Sequence, residues 1–128
     1  MGSPHSHRVL VVDDDAACLE ALVFFLRQAG FVVDGAPGGV EALNRLRSKG
    51  QPCAVVTDAL MPDMNGWELV AAMQAEPHLA GVPIVMMSGR SDEVARALAE
   101  GVRAYLPKPT DPQEIADTVA RYCRCAKA

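Results

Sequence analysis

The sequence lacks a hydrophobic run long enough to span a membrane, and its first seven residues lack the apolar core of a signal peptide. Basic residues number 12 against 16 acidic ones, and no basic stretch is interleaved with aromatics, so nucleic acid is not an expected partner. The four cysteines form no C-x-x-C pair and no histidine cluster at zinc spacing. We therefore expect free thiols, no membrane contact and a cytoplasmic location.

The length of the chain is that of a single domain. With 128 residues, half of them hydrophobic, the chain can bury one sizeable core. We predict a domain over residues 8–124. Residues 1–7 are expected to be disordered or vector-derived, and residues 125–128 are expected to form a tail.

Hydrophobic periodicity predicts strands that alternate with helices along the whole domain. The strands are expected at residues 8–12, 31–33, 53–58, 82–88 and 102–106. The helices are expected at residues 16–29, between Gly39 and Gly50, at 66–75, at 92–100 and from Pro112 to about Cys123. Such alternation implies βαβ crossovers, so we predict an α/β fold with a parallel sheet that is covered on both faces.

Two of the predicted strands end on aspartate. Asp13, Asp14 and Asp15 follow the first strand, and Asp58 ends the third. A helix N-cap would account for one of the three aspartates after the first strand. Asp58, considered by itself, could be an ordinary turn residue. Because parallel strands place their carboxyl ends at one edge of a sheet, we expect the acids to converge. Two like charges about 4 Å apart repel by roughly 4 kcal/mol at an effective dielectric of 20, so a cation is expected among them.

Two further polar side chains are predicted at the same edge. Ser88 ends the fourth strand, and Lys108 lies just past the fifth. A few oxygen ligands, with room left for water and a phosphate, suit magnesium. Acids, a divalent ion, a lysine and a hydroxyl together are suited to holding a phosphoryl group and neutralising its charge.

Four motifs in this order resemble the receiver domain of two-component response regulators, the CheY-like family. They are Val11-Val12-Asp13-Asp14, Thr57-Asp58-Ala59-Leu60-Met61-Pro62 with Gly66 after it, Met87-Ser88-Gly89, and Tyr105-Leu106-Pro107-Lys108-Pro109. The resemblance extends from Val9 to about Cys123. It implies a single-domain, flavodoxin-like, doubly wound fold with five helices and five parallel strands in the order 2-1-3-4-5.

The resemblance also implies a role for each acid of the site. Asp58 would accept a phosphoryl group from the phosphohistidine of a histidine kinase or histidine phosphotransfer protein. Asp14, Asp58 and the backbone carbonyl of Leu60 would ligate Mg²⁺, or Mn²⁺ in its place, while Asp13 would act largely through bound water. Lys108 would pair with Asp58 and then with the phosphoryl oxygens, and a cis peptide would join it to Pro109.

Further expectations concern switching and the lifetime of the phosphoryl group. Ser88 would turn toward the phosphoryl oxygens and Tyr105 would fill the space it leaves, which changes the surface of the fourth helix, fifth strand and fifth helix. Leu60 and Arg90 would flank the path of the hydrolytic water. Because leucine cannot orient water, we expect a long-lived phosphoryl group. Trp67 is expected to pack on the surface near the loop that follows Asp58.

Other interpretations stay open at this stage. One is a receiver-like interaction module that works without phosphorylation. Another is an aspartyl-phosphate phosphatase, because Asp13-Asp14-Asp15 could match the D-x-D signature of that class. However, Ala17 stands where that class carries Thr or Val. We favour a phosphoacceptor that is not an enzyme, either a monomer or a phosphorylation-dependent homodimer, with an unknown downstream protein target. No output region follows the last helix in this sequence, so a stand-alone receiver and a module of a larger protein are both possible.

Overall fold

The computed structural model describes residues 8–123, so the predictions for residues 1–7, 124 and 125–128 lie outside the described residues. The strands are β1 (Arg8–Val12), β2 (Val32–Ala36), β3 (Ala54–Asp58), β4 (Ile84–Ser88) and β5 (Ala104–Pro107). The α-helices are α1 (Ala16–Gln28), α2 (Gly39–Lys49), α3 (Gly66–Gln74), α4 (Val94–Ala99) and α5 (Pro112–Tyr122), and a 3₁₀ turn, Ser91–Glu93, precedes α4.

The five strands form one parallel sheet in the order β2-β1-β3-β4-β5, which confirms the predicted fold class. The strand pairing brings the carboxyl ends of the strands to a common edge. Val12 pairs with Thr57, the residue before Asp58, and Ser88 pairs with Pro107, the residue before Lys108. The residues that follow these strand ends therefore lie close together.

Hydrophobic clusters cover both faces of the sheet. Val9 and Val11 belong to the cluster with α1 and α5, whereas Leu10 and Val12 belong to the cluster with α2, α3 and α4. Each fully buried Val or Leu side chain contributes about 1.5–3 kcal/mol relative to an exposed one. Burial on both sides explains why the central strands read as continuous apolar runs rather than as alternating patterns.

Strand β2 extends beyond its predicted end at residue 33, because residues 34–36 continue the parallel pairing with β1. This strand lies at an edge of the sheet, where the polar Asp34 is tolerated. Gly35 suits its position, since a Cβ there would lie 3.2 Å from side-chain atoms of both Leu19 and Val23.

The fourth helix starts later than predicted. Residues 91–93 form a 3₁₀ turn, and α4 begins at Val94 rather than at Asp92. The side chain of Asp92 caps no helix, since the Arg90 guanidinium donates hydrogen bonds to it at 2.9 and 3.3 Å. A tight turn followed by six helical residues thus replaces the predicted nine-residue helix.

The expectation of free cysteines is wrong at Cys53, which is buried and disulfide-bonded. The lack of a C-x-x-C motif excludes only local pairs, whereas a bond between distant cysteines depends on the fold. Cys18 is exposed and is not in a disulfide. Among the described residues, no helix is both long enough and apolar enough to cross a membrane.

Candidate functional site

Three carboxylates meet at the carboxyl edge of the sheet. Asp13 and Asp14 directly follow β1, and Asp58 is the last residue of the neighbouring strand β3. Each offers a carboxylate oxygen, and these oxygens all lie within 4.8 Å of one another. Asp13 and Asp58 are buried, whereas Asp14 is exposed. The predicted convergence of the acids is therefore what the structure shows.

Asp15 has a different role, as the N-cap of α1. Its Oδ1 accepts hydrogen bonds from the N–H groups of Ala17 at 3.0 Å and Cys18 at 3.1 Å. The Asp15 N–H in turn donates to Oδ1 of Asp13 at 3.0 Å. The cap satisfies two of the free N–H groups at the start of the helix, so it holds the turn that carries the other two acids.

Lys108 enters the acid cluster from β5. Its Nζ lies 3.0 Å from Oδ2 of Asp58 and 3.8 Å from Oδ2 of Asp13. Its backbone N–H donates to the carbonyl of Ser88 at 2.8 Å, which ties it to the end of β4. The peptide bond between Lys108 and Pro109 is cis, as the resemblance implies.

The charges of the site do not balance. Burial raises the pKa of Asp13, and the negative charges of Asp58 and Asp14 raise it further. The hydrogen bond from the Asp15 N–H and the positive charge of Lys108 lower this pKa but do not cancel the rise. Burial acts to lower the pKa of Lys108, but its hydrogen bond to Asp58 and the charges of Asp58 and Asp13 outweigh burial, so this pKa is raised. One ammonium therefore faces three carboxylates, which favours a bound cation.

Ser88 and Tyr105 are connected through the backbone of Arg90. The Arg90 N–H donates to Oγ of the buried Ser88 at 3.1 Å, and the Tyr105 hydroxyl donates to the Arg90 carbonyl at 2.5 Å. The guanidinium of Arg90 pairs instead with Asp92, at 2.9 Å. Both predicted switch residues thus contact one peptide segment, while the Arg90 side chain is engaged elsewhere.

Leu60 lies directly beside the buried aspartate. Its N–H is 3.5 Å from Oδ1 of Asp58, at the outer limit of a hydrogen bond, and 66% of the residue is exposed. The Thr57 hydroxyl donates to the Asp58 carbonyl at 2.9 Å, which adds to the support of this strand end. The largely exposed leucine therefore offers no polar side-chain group near Asp58.

The expected surface position of Trp67 is wrong, since only 7% of this residue is exposed. Its ring centroid lies 6.4 Å from that of Tyr105 in a stacked arrangement, and the Arg96 guanidinium lies 4.0 Å from its centroid. The helical spacing of Trp67 and Val70, three residues apart, was the available signal that both belong to the buried side of α3.

The arrangement is suited to phosphoryl transfer. It offers a buried carboxylate as nucleophile, an ammonium 3.0 Å from it, and two further carboxylates with oxygen atoms for a hard cation. Phosphoryl transfer requires positioning and charge neutralisation more than elaborate covalent chemistry. These residues provide both.

Comparisons with known proteins identify the family of the chain. The family model described as "Response regulator receiver domain" matches residues 9–120. The two-component response regulator ORR5 of Oryza sativa subsp. japonica is 33% identical over 125 residues, which cover 96% of this chain and 91% of that protein.

Two solved structures share the fold over nearly their whole length. A putative response regulator from Chloroflexus aurantiacus has a TM-score of 0.84 and 34% identity, with 91% of this chain and 97% of that chain covered. The chemotaxis protein CheY4 of Vibrio cholerae has a TM-score of 0.83 and 29% identity, with 90% and 97% covered. The chain therefore belongs to the receiver domain family of two-component response regulators.

Proposed function

We propose that this domain is the phosphoacceptor of a two-component phosphorelay, with Asp58 as the residue that is phosphorylated. The observation that carries the proposal is the position of the Asp58 carboxylate, which lies 3.0 Å from Lys108 Nζ and within the cluster that includes Asp13 and Asp14. The donor would be the phosphohistidine of a histidine kinase or of a histidine phosphotransfer protein.

The donor set of the acid cluster fits a magnesium ion. Asp13, Asp14 and Asp58 provide carboxylate oxygens within 4.8 Å of one another, and the backbone carbonyl of Leu60 is the further proposed ligand. When bound, Mg²⁺, or Mn²⁺ in its place, would supply the positive charge that offsets these carboxylates and the incoming phosphoryl oxygens.

In the transfer step, a carboxylate oxygen of Asp58 attacks the phosphorus atom. A P–O bond forms as the P–N bond to the donor histidine breaks, and the imidazole nitrogen leaves with the electron pair of that bond. The Lys108 ammonium, 3.0 Å from the Asp58 carboxylate, is placed to pair with the transferred oxygens. The protein acts on itself in this step, which is why we propose a signalling domain rather than an enzyme with an external substrate.

The proposed switch begins at Ser88. Its Oγ accepts the Arg90 N–H and would leave that bond to contact a phosphoryl oxygen on Asp58. Tyr105, whose hydroxyl donates to the Arg90 carbonyl, would then occupy the space that Ser88 leaves. The affected surface would comprise α4, β5 and α5. Phosphorylation shifts this equilibrium only by the difference between its affinities for the two conformations.

We also propose that Leu60 and Arg90 set the lifetime of the phosphoryl group. Leu60 is largely exposed beside Asp58, and its side chain has no group that could orient a hydrolytic water. The Arg90 guanidinium is held by Asp92. Slow loss of the phosphoryl group is the expected result.

The other parts of the proposal concern the domain and its surroundings. We propose a receiver unit over residues 8–124 that acts in the cytoplasm on a downstream protein, either as a monomer or as a phosphorylation-dependent homodimer. Its family membership supports an exchange of phosphoryl groups with histidine kinases or phosphotransfer proteins. Direct binding to nucleic acid is not part of the proposal.

The decisive experiment is to incubate the protein with magnesium and acetyl phosphate and to measure its intact mass. One added phosphoryl group is expected on the wild type and none on Asp58→Ala, with an EDTA-treated sample as the metal-free control. No added mass on the wild type would refute the phosphoacceptor role, and equal mass on both proteins would refute Asp58 as the site. Repeated turnover of a phosphate ester would favour a phosphatase instead.

A further inference from the structure

The loop between β3 and α3, residues 59–65, lies against the start of α2. The N-cap residue of α2 is Gly38, which has no side chain to cap the helix. The carboxylate of Asp63 takes that place from across the structure, since its Oδ2 accepts the Val40 N–H at 3.4 Å and its Oδ1 accepts the Met64 N–H at 2.7 Å. An aspartate of the loop thus serves as the side-chain cap of a different helix.

The charged form of Asp63 suits this environment. The Met64 N–H, followed by those of Val40, Asp63 itself and Gly39, lowers the pKa of this carboxyl. The negative charge therefore stays at the positive end of α2 over the whole neutral range.

Two consecutive glycines allow the close approach. A Cβ at Gly38 would lie 2.7 Å from Oδ2 of Asp63 and 2.8 Å from its Oδ1. A Cβ at Gly39 would lie 2.4 Å from the carbonyl oxygen of Met64 and 2.8 Å from its Cβ. Any larger residue at these positions would displace the loop from α2.

The two ends of the loop are held by other elements. The Ala59 N–H donates to the Met87 carbonyl at 3.0 Å, and the Gly66 N–H donates to the Ala59 carbonyl at 2.8 Å. Asn65 forms a capping box with Glu68 at the start of α3. The middle of the loop contacts α2 through Asp63.

Leu60 lies in the stretch between these anchors. Its own N–H makes only the long 3.5 Å contact with Asp58, and its side chain points largely into solvent. The position of the Leu60 carbonyl therefore depends on what holds the residues on either side of it. On the far side, that support comes from the buried side chain of Met61, which packs in the core, and from Asp63 two residues further along the chain.

We propose that Asp63 is a positioning residue for the metal site, which holds the carbonyl of Leu60 in place by capping α2 from the neighbouring loop. The inference rests on the proposed function, in which that carbonyl ligates magnesium. Magnesium requires nearly ideal octahedral geometry, so a ligand that is free to move loses affinity. Groups that orient metal ligands typically change the affinity by 10-fold or more, so we expect Asp63→Ala to weaken Mg²⁺ binding by about tenfold.

The test measures Mg²⁺ binding directly by isothermal titration calorimetry and the thermal unfolding of the metal-free proteins. Asp63→Ala is compared with Asp63→Asn, which keeps an oxygen acceptor for the N–H groups of α2 and should restore much of the affinity. Gly50→Ala is the matched control. Gly50 has φ +86° at the other end of α2, and its Cβ would meet open space, so this change destabilises the same helix without touching the loop.

Phosphorylation by acetyl phosphate at increasing Mg²⁺ gives the second measurement. For Asp63→Ala, the Mg²⁺ concentration at half-maximal rate should rise about tenfold, as its affinity falls, while the rate at saturating Mg²⁺ stays near that of the wild type. Gly50→Ala should lower the unfolding temperature and leave the Mg²⁺ dependence unchanged.

The outcomes separate this inference from the proposed function. If the wild type binds Mg²⁺ and gains a phosphoryl group but Asp63→Ala has the same Mg²⁺ affinity, the inference is wrong and the proposed function stands. The inference is equally wrong if Gly50→Ala weakens Mg²⁺ binding as much as Asp63→Ala does. If the wild type neither binds Mg²⁺ nor becomes phosphorylated, both proposals fail.

Discussion

The Asp13→Asn substitution is expected to raise the free energy of unfolding of the metal-free protein. Asp13 is buried, and its carboxylate lies within 4.8 Å of the carboxylates of Asp14 and Asp58. Asparagine has the same shape and keeps an oxygen that can accept the Asp15 N–H. The substitution therefore removes the charge and little else.

The magnitude follows from the distances. At an effective dielectric of 20, like charges no more than 4.8 Å apart repel by at least about 3.5 kcal/mol for each of the two pairs. The 3.8 Å between Lys108 Nζ and Asp13 corresponds to an attraction of about 4.4 kcal/mol at the same dielectric. The difference is about 2.6 kcal/mol of net repulsion, and solvent screening at the exposed Asp14 and the partly exposed Lys108 reduces it to about 1–2 kcal/mol.

Unfolding in EDTA measures this difference, as a higher urea midpoint or as a rise of about 3–8 °C in Tm. Because the folded-state pKa of Asp13 is raised, protonation favours the folded protein, so wild-type stability should be lost as the pH rises through that pKa. Asp13→Asn should lack this loss. Asp117→Asn, an exposed aspartate on α5, is the control and should change little.

Magnesium should reverse the order of stabilities. An ion present at a hundred times its Kd stabilises the folded wild type by about 2.7 kcal/mol, and the variant, which lacks one acid of the site, should gain less. If Asp13→Asn is less stable than the wild type in EDTA, the hydrogen bond to Asp15 and the attraction to Lys108 outweigh the repulsion. The acid cluster would then be stable without a cation, contrary to our expectation.

Three further predictions concern single side chains. Leu60→Asn should release phosphate sooner than the wild type after acetyl phosphate is removed, because an amide can orient water; equal or slower release contradicts the proposed role of Leu60. The hydrogen bonds from Arg47 lower the pKa of Glu76, so the stability they add is present at neutral pH and is lost as the pH falls. In urea unfolding, Glu76→Gln should thus be less stable than the wild type at pH 7, and the gap should close as the pH falls through the lowered pKa of Glu76; a gap that is constant with pH would count against this pair. Trp67→Ala should cost about 3–5 kcal/mol in urea unfolding, with Trp67→Phe costing less, and a loss below about 1 kcal/mol for the alanine variant would contradict the burial of Trp67.

Most of the architecture could be predicted from the sequence, because strands buried on both sides and amphipathic helices leave strong periodic signals. The ends of elements were harder to predict. β2 continues through Asp34 and Gly35 because its neighbour β1 pairs with them, and no local property of these residues signals a strand. The start of α4 differed for a similar reason, since Asp92 is held by Arg90 and does not cap the helix.

The acids of the site could be predicted because strand ends in a parallel sheet converge whatever the details of packing. Contacts between distant loops and helices were not predictable in this way. Asp63 reads as a turn residue in the sequence, yet its carboxylate lies at the start of α2, 23 residues earlier in the chain. The contact between Arg96 and Trp67 likewise depends on how α4 packs on α3.

The central position of β3 restricts how a proposed phosphoryl donor could reach Asp58. All five residues of this strand are buried, and β1 and β4 pair with it on either side. Amide hydrogens in such a strand should be among the slowest to exchange with solvent. Asp58, the last residue of the strand, should therefore have low mobility. In the proposed function, a partner would therefore have to bring its histidine to the carboxyl edge of the sheet, where Asp58 and Lys108 lie 3.0 Å apart, so the choice between competing donors would depend on the shape and charge of that edge.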